Sequence, residues 1–449
     1  MSTIEKHDMT QGKILLPLVS FTIPLVLGNL FQLTYNAADS VIVGKYVGEQ
    51  ALAAVGTSTP IMNIAILLIS GMCMGASVLM SSQYGAKDYD TLSRQISTTM
   101  LAGCGFSVVF SLLMLLLANP VLRLIRVPET AIPEAAAYLR IIFMGLIFTF
   151  MYNFLANTMR ALGDSKTPLY FLVTSAFLNI FGDLFFVVVL RWGVAGSAIA
   201  TVCSEGICCL LCGIYIKKKI PLLCLGKKWW VFDKSLLGKT VSYGSTSAMQ
   251  QVCLQLGKLI IQSVVNTQGV AVMAAFTAVN RVDDFAYTPQ QNIGHAMTTF
   301  LAQNKGAGHK ERMKKGFQTG LLIELVYSIG LFCVIWGLAP QIMTLFAEDG
   351  DAQVVSLGIS YLHLISWMYI LPGLTNGVQG FFRGIGDLKV TLYSTFMNMF
   401  GRVVAVFVMI RLLQMEFASL AWANMVGWIV MLLFEVPLLV KSMRNGECG

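Results

Sequence analysis

Hydrophobic and polar positions alternate along this chain on the scale of whole segments. Twelve apolar runs, near residues 14–43, 50–83, 92–118, 133–160, 168–190, 193–216, 240–266, 271–303, 314–338, 352–382, 389–411 and 416–440, are separated by short polar breaks. A helix crosses the hydrocarbon with about 20 apolar residues, so the pattern predicts an all-α integral membrane protein with twelve transmembrane helices. Several runs exceed a minimal span and are expected to tilt or project. The first is too long for a signal-peptide core and has no small-residue cleavage pattern behind it, so it reads as a retained helix.

The polar breaks repeat. Gln83-Tyr84-Gly85-Ala86 returns as Asn304-Lys305-Gly306-Ala307, and the stretch from Arg160 through Gly163 and Asp164 to Lys166 returns from Arg383 through Gly386 and Asp387 to Lys389. The spacing is 221 to 223 residues. The chain therefore reads as two pseudo-symmetric six-helix lobes, 1–216 and 240–449, joined by a cytoplasmic linker, 217–239. A duplicated unit in a membrane protein points to a transporter whose pathway lies between its halves.

Composition agrees with this reading and narrows it. The chain is 56% hydrophobic and 12% charged, with a mean hydropathy of +0.71, against about 25% charged residues in a soluble domain. The net charge of +8 is explained by orientation. With both termini cytoplasmic, most Lys and Arg fall on the cytoplasmic side, as the positive-inside rule requires, and no nucleic-acid partner is called for. The linker carries Lys217, Lys218, Lys219, Lys227, Lys228 and Lys234, with Trp229 and Trp230 as interfacial anchors, while Glu348, Asp349 and Asp351 lie in an outer loop. Nearly all ten cysteines sit in apolar runs, where Cys acts as a small hydrophobe. Cys208, Cys209 and Cys212 have no nearby His or further Cys to complete a metal site, and His295 and His363 show no ligand spacing. Neither a phosphate-binding G-x-x-x-x-G-K-[ST] loop nor a His-Glu-x-x-His motif occurs, which argues against a primary pump and against a metalloenzyme. No enzyme activity and no cofactor are expected, and an ion gradient is the expected energy source.

Charges inside the apolar runs carry the chemistry. Each costs at least about 2.5 to 3.5 kcal/mol to insert, so each needs a partner, a cavity or a function. Asp39 lies near the outer end of the first run and Asp183 seven residues before the outer end of the fifth. Asn179 is one turn before Asp183 on the same face, and Thr201, eight residues into the sixth run, lies at a similar depth. Two carboxylates, an amide and a hydroxyl form an all-oxygen set suited to Na+ or to protons. The alternative is a hydrogen-bonded set that only locks helices together. Glu205 follows Thr201 by one turn, Glu324 lies inside the ninth run without an evident partner, and Glu435 is close enough to the cytoplasmic end to snorkel. Pro24 removes a backbone hydrogen bond from the first helix and is a candidate hinge below Asp39.

Taken together, the two six-helix halves, the Q-x-x-G-A break, the R-x-L-G-D-x-x-x-P break from Arg160 to Pro168 and the Asp39, Asn179, Asp183, Thr201 set resemble multidrug and toxic compound extrusion (MATE) transporters of bacterial type. The resemblance spans nearly the whole chain. It implies a V-shaped cavity between the lobes and exchange of Na+ or H+ for cationic or amphipathic drugs. It also implies a multi-pass monomer in the bacterial cytoplasmic membrane. It assigns Asp39, Asn179, Asp183 and Thr201 to cation or proton coupling, and Gln32, Tyr138, Asn153 and Asn157 to the substrate cavity.

The second half departs from the first. The positions of Asp39, Asn179 and Asp183 fall on Ile260, Arg402 and Val406, so the coupling set is not duplicated. The seventh run has Gln250, Gln251 and Gln255, followed by Lys258, where the resemblance implies an acid in many members of the family. Asp283 and Asp284 lie near Arg281 in the eighth run, and at least one ion pair is expected among these residues, Lys258 and Arg402. Gln255, Asp283, Asp284 and Arg402 are candidate substrate contacts. The rival function is a flippase for lipid-linked oligosaccharides or cell-wall precursors. That reading needs a strongly basic cavity, whereas here two acids accompany Lys258, Arg281 and Arg402.

Overall fold

In the computed structural model the described residues are 8–125, 127–220, 230–346, 352–415, 417 and 419–444. Lys227, Lys228, Trp229, Glu348, Asp349 and Asp351 lie outside them, while Trp230 is exposed. Fourteen α-helices are present among the described residues: α1 (Leu15–Tyr46), α2 (Glu49–Gly85), α3 (Tyr89–Leu124), α4 (Ile132–Met144), α5 (Leu146–Ala161), α6 (Lys166–Asp183), α7 (Gly193–Lys219), α8 (Lys234–Val265), α9 (Val270–Gly306), α10 (Lys310–Phe346), α11 (Ala352–Ser366), α12 (Ile370–Ile385), α13 (Leu388–Val406) and α14 (Ser419–Arg444). Two pairs of helices follow one another as rods broken in the middle. α4 and α5 bend by 46° at Gly145, and α11 passes to α12 through a 3-10 turn, Trp367–Tyr369. Grouped in this way the elements make twelve rods, matching the twelve apolar runs.

Nine helices among the described residues are long and apolar enough to cross a membrane, or ten if the bent α4 and α5 pair is one span. The remaining two rods, α8 and α9, are 32 and 37 residues long but carry Gln250, Gln251, Gln255 and Lys258, or Arg281, Asp283 and Asp284. Polar residues at such density on a spanning helix belong against other helices or a cavity rather than lipid.

The duplication extends to individual backbone hydrogen bonds. After α2, Lys87 N donates to Tyr84 O and Asp88 N to Gln83 O; after α9, Gly308 N donates to Lys305 O and His309 N to Asn304 O. Gly163 and Gly386, with φ of 88° and 86°, close α5 and α12 in the same left-handed turn, which glycine adopts without a steric penalty. Asp88 caps α3 by accepting from Thr91 N at 3.1 Å. Hydrogen bonds from Thr91 hold its carboxyl below the usual carboxylate range. α6 and α13 each run into a π-helical stretch, Leu184–Val189 and Phe407–Leu412.

The chain divides into two compact units, and the division does not follow the helix boundaries read from the sequence. One unit holds Ile23–Ala248, and the other holds Met9–Thr22 with Met249–Gly449. The beginnings of α1 and α8 thus pack with the opposite half. In the first unit, Arg94 pairs with Asp233 at 2.6 Å, and Val231 exchanges hydrogen bonds with Ser97 and Thr98. Gly71 and Gly75 of α2 let the start of α8 approach at Gly244 and Ala248. In the second unit, Arg312 donates to the carbonyls of Met9, Gln11 and Gly12 at 2.7 to 3.2 Å, and Met9 N donates to Gln303. Arg312→Ala is expected to lower stability by about 1–3 kcal/mol, since several charge-assisted bonds are lost. Arg312→Lys should recover only part of this, because an ammonium cannot reproduce the planar fork. Thermal unfolding of the two variants in detergent measures the difference.

Each unit has its own apolar core. Ile69, Phe143, Phe150 and Phe154 are central to the first, and Val279, Leu362, Ile365 and Met368 to the second.

Candidate functional site

Glycine sets the spacing of the helices that carry the first candidate site. A Cβ on Gly182 of α6 would lie 2.9 Å from Ala200 of α7, and one on Gly196 would lie 3.0 Å from the backbone of Phe186. Only side chains this small let α6 and α7 approach so closely. Their polar residues meet as a result. Asn179 Nδ2 donates to Thr201 Oγ1 at 3.2 Å, and Thr201 Oγ1 donates to Ser197 O at 3.1 Å. Ser197 Oγ donates to Asp39 Oδ1 of α1 at 2.8 Å. Asp183 ends α6 immediately before the π-helical stretch, a distortion that recurs at functional sites.

The four residues selected from the sequence, Asp39, Asn179, Asp183 and Thr201, are brought together. Asp183 is fully buried, and Asp39 faces it within hydrogen-bonding reach. Neither oxygen of Asp183 receives a hydrogen bond among the described residues, and Asn179 Oδ1 is also without a donor. Three buried acceptor atoms with nothing to accept from, beside a second carboxylate, cannot all stay bare. An ionised pair in this environment requires a proton or a cation between its oxygens.

Around this core lie residues with different prospects. Tyr138 packs in an apolar cluster with Val43, Val55 and Ala198, within electrostatic reach of Asp39 and Asp183. Glu205 accepts from Thr149 Oγ1 and is a charged neighbour of Tyr35 and Tyr138. Gln32 is exposed beside Tyr35. The amides of Asn153 and Asn157 donate at 2.9 Å to Thr149 O and Asn153 O, one turn back on α5. Ser197, Tyr35 and Thr149 were missed by sequence reasoning. Ser197 lies one turn before Thr201, and that i, i+4 relation was the available signal.

The second unit builds a different polar centre at related positions. Adding 223 to Tyr138 and Thr201 gives Tyr361 and Asn424, and Asn424 Nδ2 donates to the Tyr361 hydroxyl at 2.8 Å. Tyr361 and Tyr369 in turn donate to the two oxygens of buried Asp283 at 2.8 and 2.6 Å. The ion pair expected here joins Lys258 to Asp284 at 3.2 Å, but both side chains are 55% exposed. Buried Asp283 is held by hydroxyls instead, and Arg402 adds its charge from nearby. Gln255 and Arg281 are exposed. Of the counterparts of the first unit's set, Ile260 is exposed and Val406 is buried.

One expectation is overturned. Glu435 does not snorkel, because it is fully buried. Its face of α14 turns inward against α12 and α13, beside Arg383, Ser394 and Gln379. Among the cysteines, Cys208 Sγ bonds to Phe171 O at 3.2 Å, and Cys212 is buried in the apolar core.

Comparison with known proteins agrees with this architecture. The family model MatE matches residues 24–185 and again 247–409, once in each half. The chain is 32% identical over 392 residues to the Probable multidrug resistance protein YpnP of Bacillus subtilis, covering 87% of this chain and 86% of that one. It is 23% identical to the Probable multidrug resistance protein NorM of Thermotoga maritima, over 92% and 89% of the two chains. Among solved structures, a MATE in complex with MaL6 superposes with a TM-score of 0.91 at 22% identity, over 98% of each chain. A MOP superfamily transporter from Pyrococcus furiosus superposes at 0.90 with 21% identity, over 99% of each.

Proposed function

The chain belongs to the MatE family, and from that premise we propose that it is a secondary antiporter that exports cationic or amphipathic drugs across the cytoplasmic membrane in exchange for Na+ or H+. The observation that carries this reading is the pairing of Asp39 with fully buried Asp183, whose own two oxygens, like Asn179 Oδ1, lack donors among the described residues. Such a pair binds a small cation or proton when one is supplied from outside and presents mutual repulsion when it leaves. Binding energy at the pair is thereby available to shift the packing of α1, which contributes Asp39, against α6 and α7. The multidrug designations of the YpnP and NorM relatives support the substrate class. A monomer with both termini cytoplasmic is part of the proposal.

The flippase alternative is not favoured. Lys258 is paired with Asp284, both side chains being half exposed, and Asp283 stands beside Arg402, so acids accompany these basic residues where a pyrophosphate would need unopposed positive charge.

The test is uptake of ethidium into liposomes containing the purified protein under an imposed Na+ or pH gradient. Accumulation under one gradient and not the other supports antiport and names the ion. Absence of ethidium movement under either gradient rejects the reading.

Pro24 has a place in the same mechanism. α1 passes through it unbroken, with the amide-to-carbonyl bond to Ser20 missing because proline has no N–H. Pro24→Ala restores that bond and stiffens the helix between its start and Asp39. The expected result is gradient-driven uptake slowed about tenfold, corresponding to about 1.4 kcal/mol in the barrier, with ethidium affinity in the ion-free state preserved. Initial uptake rates and equilibrium dye binding, measured on one preparation, separate the two effects.

A further inference from the structure

The second unit contains a buried carboxylate that neither the coupling set nor the tyrosine centre uses. Glu324, on α10, is 1% exposed, and neither of its oxygens receives a hydrogen bond among the described residues. It differs from the other buried acids of its unit. Asp283 has two hydroxyl donors, and Glu435, whose oxygens are likewise without a hydrogen bond among the described residues, lies within electrostatic reach of Arg383; for Glu324 no charged partner is present among the described residues.

Its surroundings are polar and shaped. A Cβ placed on Gly373 of α12 would lie 2.9 Å from Ser328 Oγ, 3.2 Å from Gln290 Nε2 and 3.3 Å from Glu324 Oε2. The missing side chain of Gly373 therefore leaves a recess on which groups from α9 and α10 converge. Gln290 spends its amide nitrogen on Ser328 Oγ at 3.1 Å and Tyr369 O at 2.8 Å, and its Oε1 is buried without a donor. Ser328 donates to Glu324 O or Tyr369 O. The recess thus contains surplus acceptors and lacks one donor.

The elements packed on α10 do not supply that donor. On α9, Asp283 is engaged with its tyrosines. On α11, His363 stacks on Trp336. Tyr369, between α11 and α12, gives its hydroxyl to Asp283, and Arg383 of α12 faces Gln379 and His295. Tyr327, on Glu324's own helix, donates to Ala286 O at 3.1 Å. An anion enclosed in this way has no counter-charge and no hydrogen bond, which is prohibitive in hydrocarbon. A proton removes the charge and supplies the missing donor in one step.

We propose that Glu324 is a proton-binding site of the second half, its carboxyl protonated in the arrangement described and donating into the recess formed by Gly373, Gln290 and Ser328. The half of the repeat that lost the Asp39 and Asp183 pair then carries a proton at a different place, on α10. The site does not depend on which gradient drives transport, nor on whether the protein is an antiporter.

The test is infrared spectroscopy of the full-length protein in lipid nanodiscs at neutral pH in potassium buffer. Asp39→Asn and Asp183→Asn form the background, so that the other pair contributes nothing. The carbonyl stretch of protonated carboxylic acids should be present, with Glu435→Gln added to the same background to remove the other buried acid of this unit that lacks a hydrogen bond. A component of it should be lost on adding Glu324→Gln and move in frequency without disappearing on adding Glu324→Asp. The aspartate variant alone decides the matter if the glutamine variant does not fold. Spectra that do not change with either substitution overturn the proposal. A band abolished by sodium chloride at fixed pH also overturns it, because the recess would then be a Na+ site.

Discussion

Asp183→Asn should abolish gradient-driven uptake of ethidium while leaving the dye able to bind, and Asp39→Asn should do the same. The physical reason is the number of charges the pair can hold. With Asp183 fully buried and Asp39 facing it, two negative charges are tolerable only with a proton or cation between them. On the proposed coupling, the wild-type pair has two states of different net charge, one loaded and one empty, and an ion gradient sets which of them prevails on each side of the membrane. An amide at either position leaves one carboxylate, Asn179 Oδ1 and an amide that can donate. The remaining charge then gains a hydrogen bond and no longer needs the ion. Coupling between two ligands of one protein is typically about 1–3 kcal/mol, a factor of about 5–150 in affinity. In wild type, raising the coupling ion should weaken ethidium binding within that range. In either variant the factor should fall to about one. Equilibrium binding titrated with and without the ion, alongside liposome uptake, measures both quantities. Uptake that responds to a gradient in both variants would exclude this pair as the coupling site.

Asp183 was legible in the sequence because a carboxylate inside an apolar run is conspicuous by its cost. Ser197 was not, since a serine among Gly, Ala and Ser in α7 looks like ordinary helix packing until α1 brings Asp39 against it. The same limit applies to Asp283. Its charge was visible, but its hydroxyl donors lie 78 and 86 residues away on the far side of two helices, so an ion pair with nearby Lys258, Arg281 or Arg402 was the natural expectation. The exposed neighbour Asp284 took that partner instead. Glu435 was misjudged because distance along a helix gives depth but not which face turns inward.

The twelve runs were legible from apolarity alone, and the repeat from two polar breaks. The breaks within spans were not, because the residues around Gly145 and Trp367 are as apolar as their neighbours. Nor was the exchange of the first turns of α1 and α8 between units. That exchange depends on Arg312, Gln303 and Asn304 meeting the backbone of Met9 across about 300 residues of sequence, and no local pattern encodes it.

The same alanine substitution at two helical glycines should have opposite results. Gly75 and Gly105 lie in α2 and α3, and in an open helix alanine is preferred to glycine by up to about 1 kcal/mol. Gly105 is exposed, and a Cβ there meets nothing within 4 Å, so Gly105→Ala should be neutral or raise the melting temperature. At Gly75 the Cβ would lie 2.5 Å from both Gly244 N and Tyr243 C, and 2.7 Å from Gly244 Cα. All three are backbone atoms of α8, so no rotamer change relieves the overlap and the whole helix must move away. Gly71 stands against Ala248 in the same manner one turn earlier, at 2.5 Å, so a shift at Gly75 opens the contact along both turns. In a bilayer such close contact between small residues is itself the attraction, since lipid provides no hydrophobic drive to press the helices together. Gly75→Ala should therefore cost more than the about 1–3 kcal/mol typical of overpacking, and Gly75→Leu should leave no folded protein. Size-exclusion profiles and thermal unfolding of the three variants in one detergent provide the comparison. Equal behaviour of Gly75→Ala and Gly105→Ala would mean that α2 and α8 do not meet at these glycines.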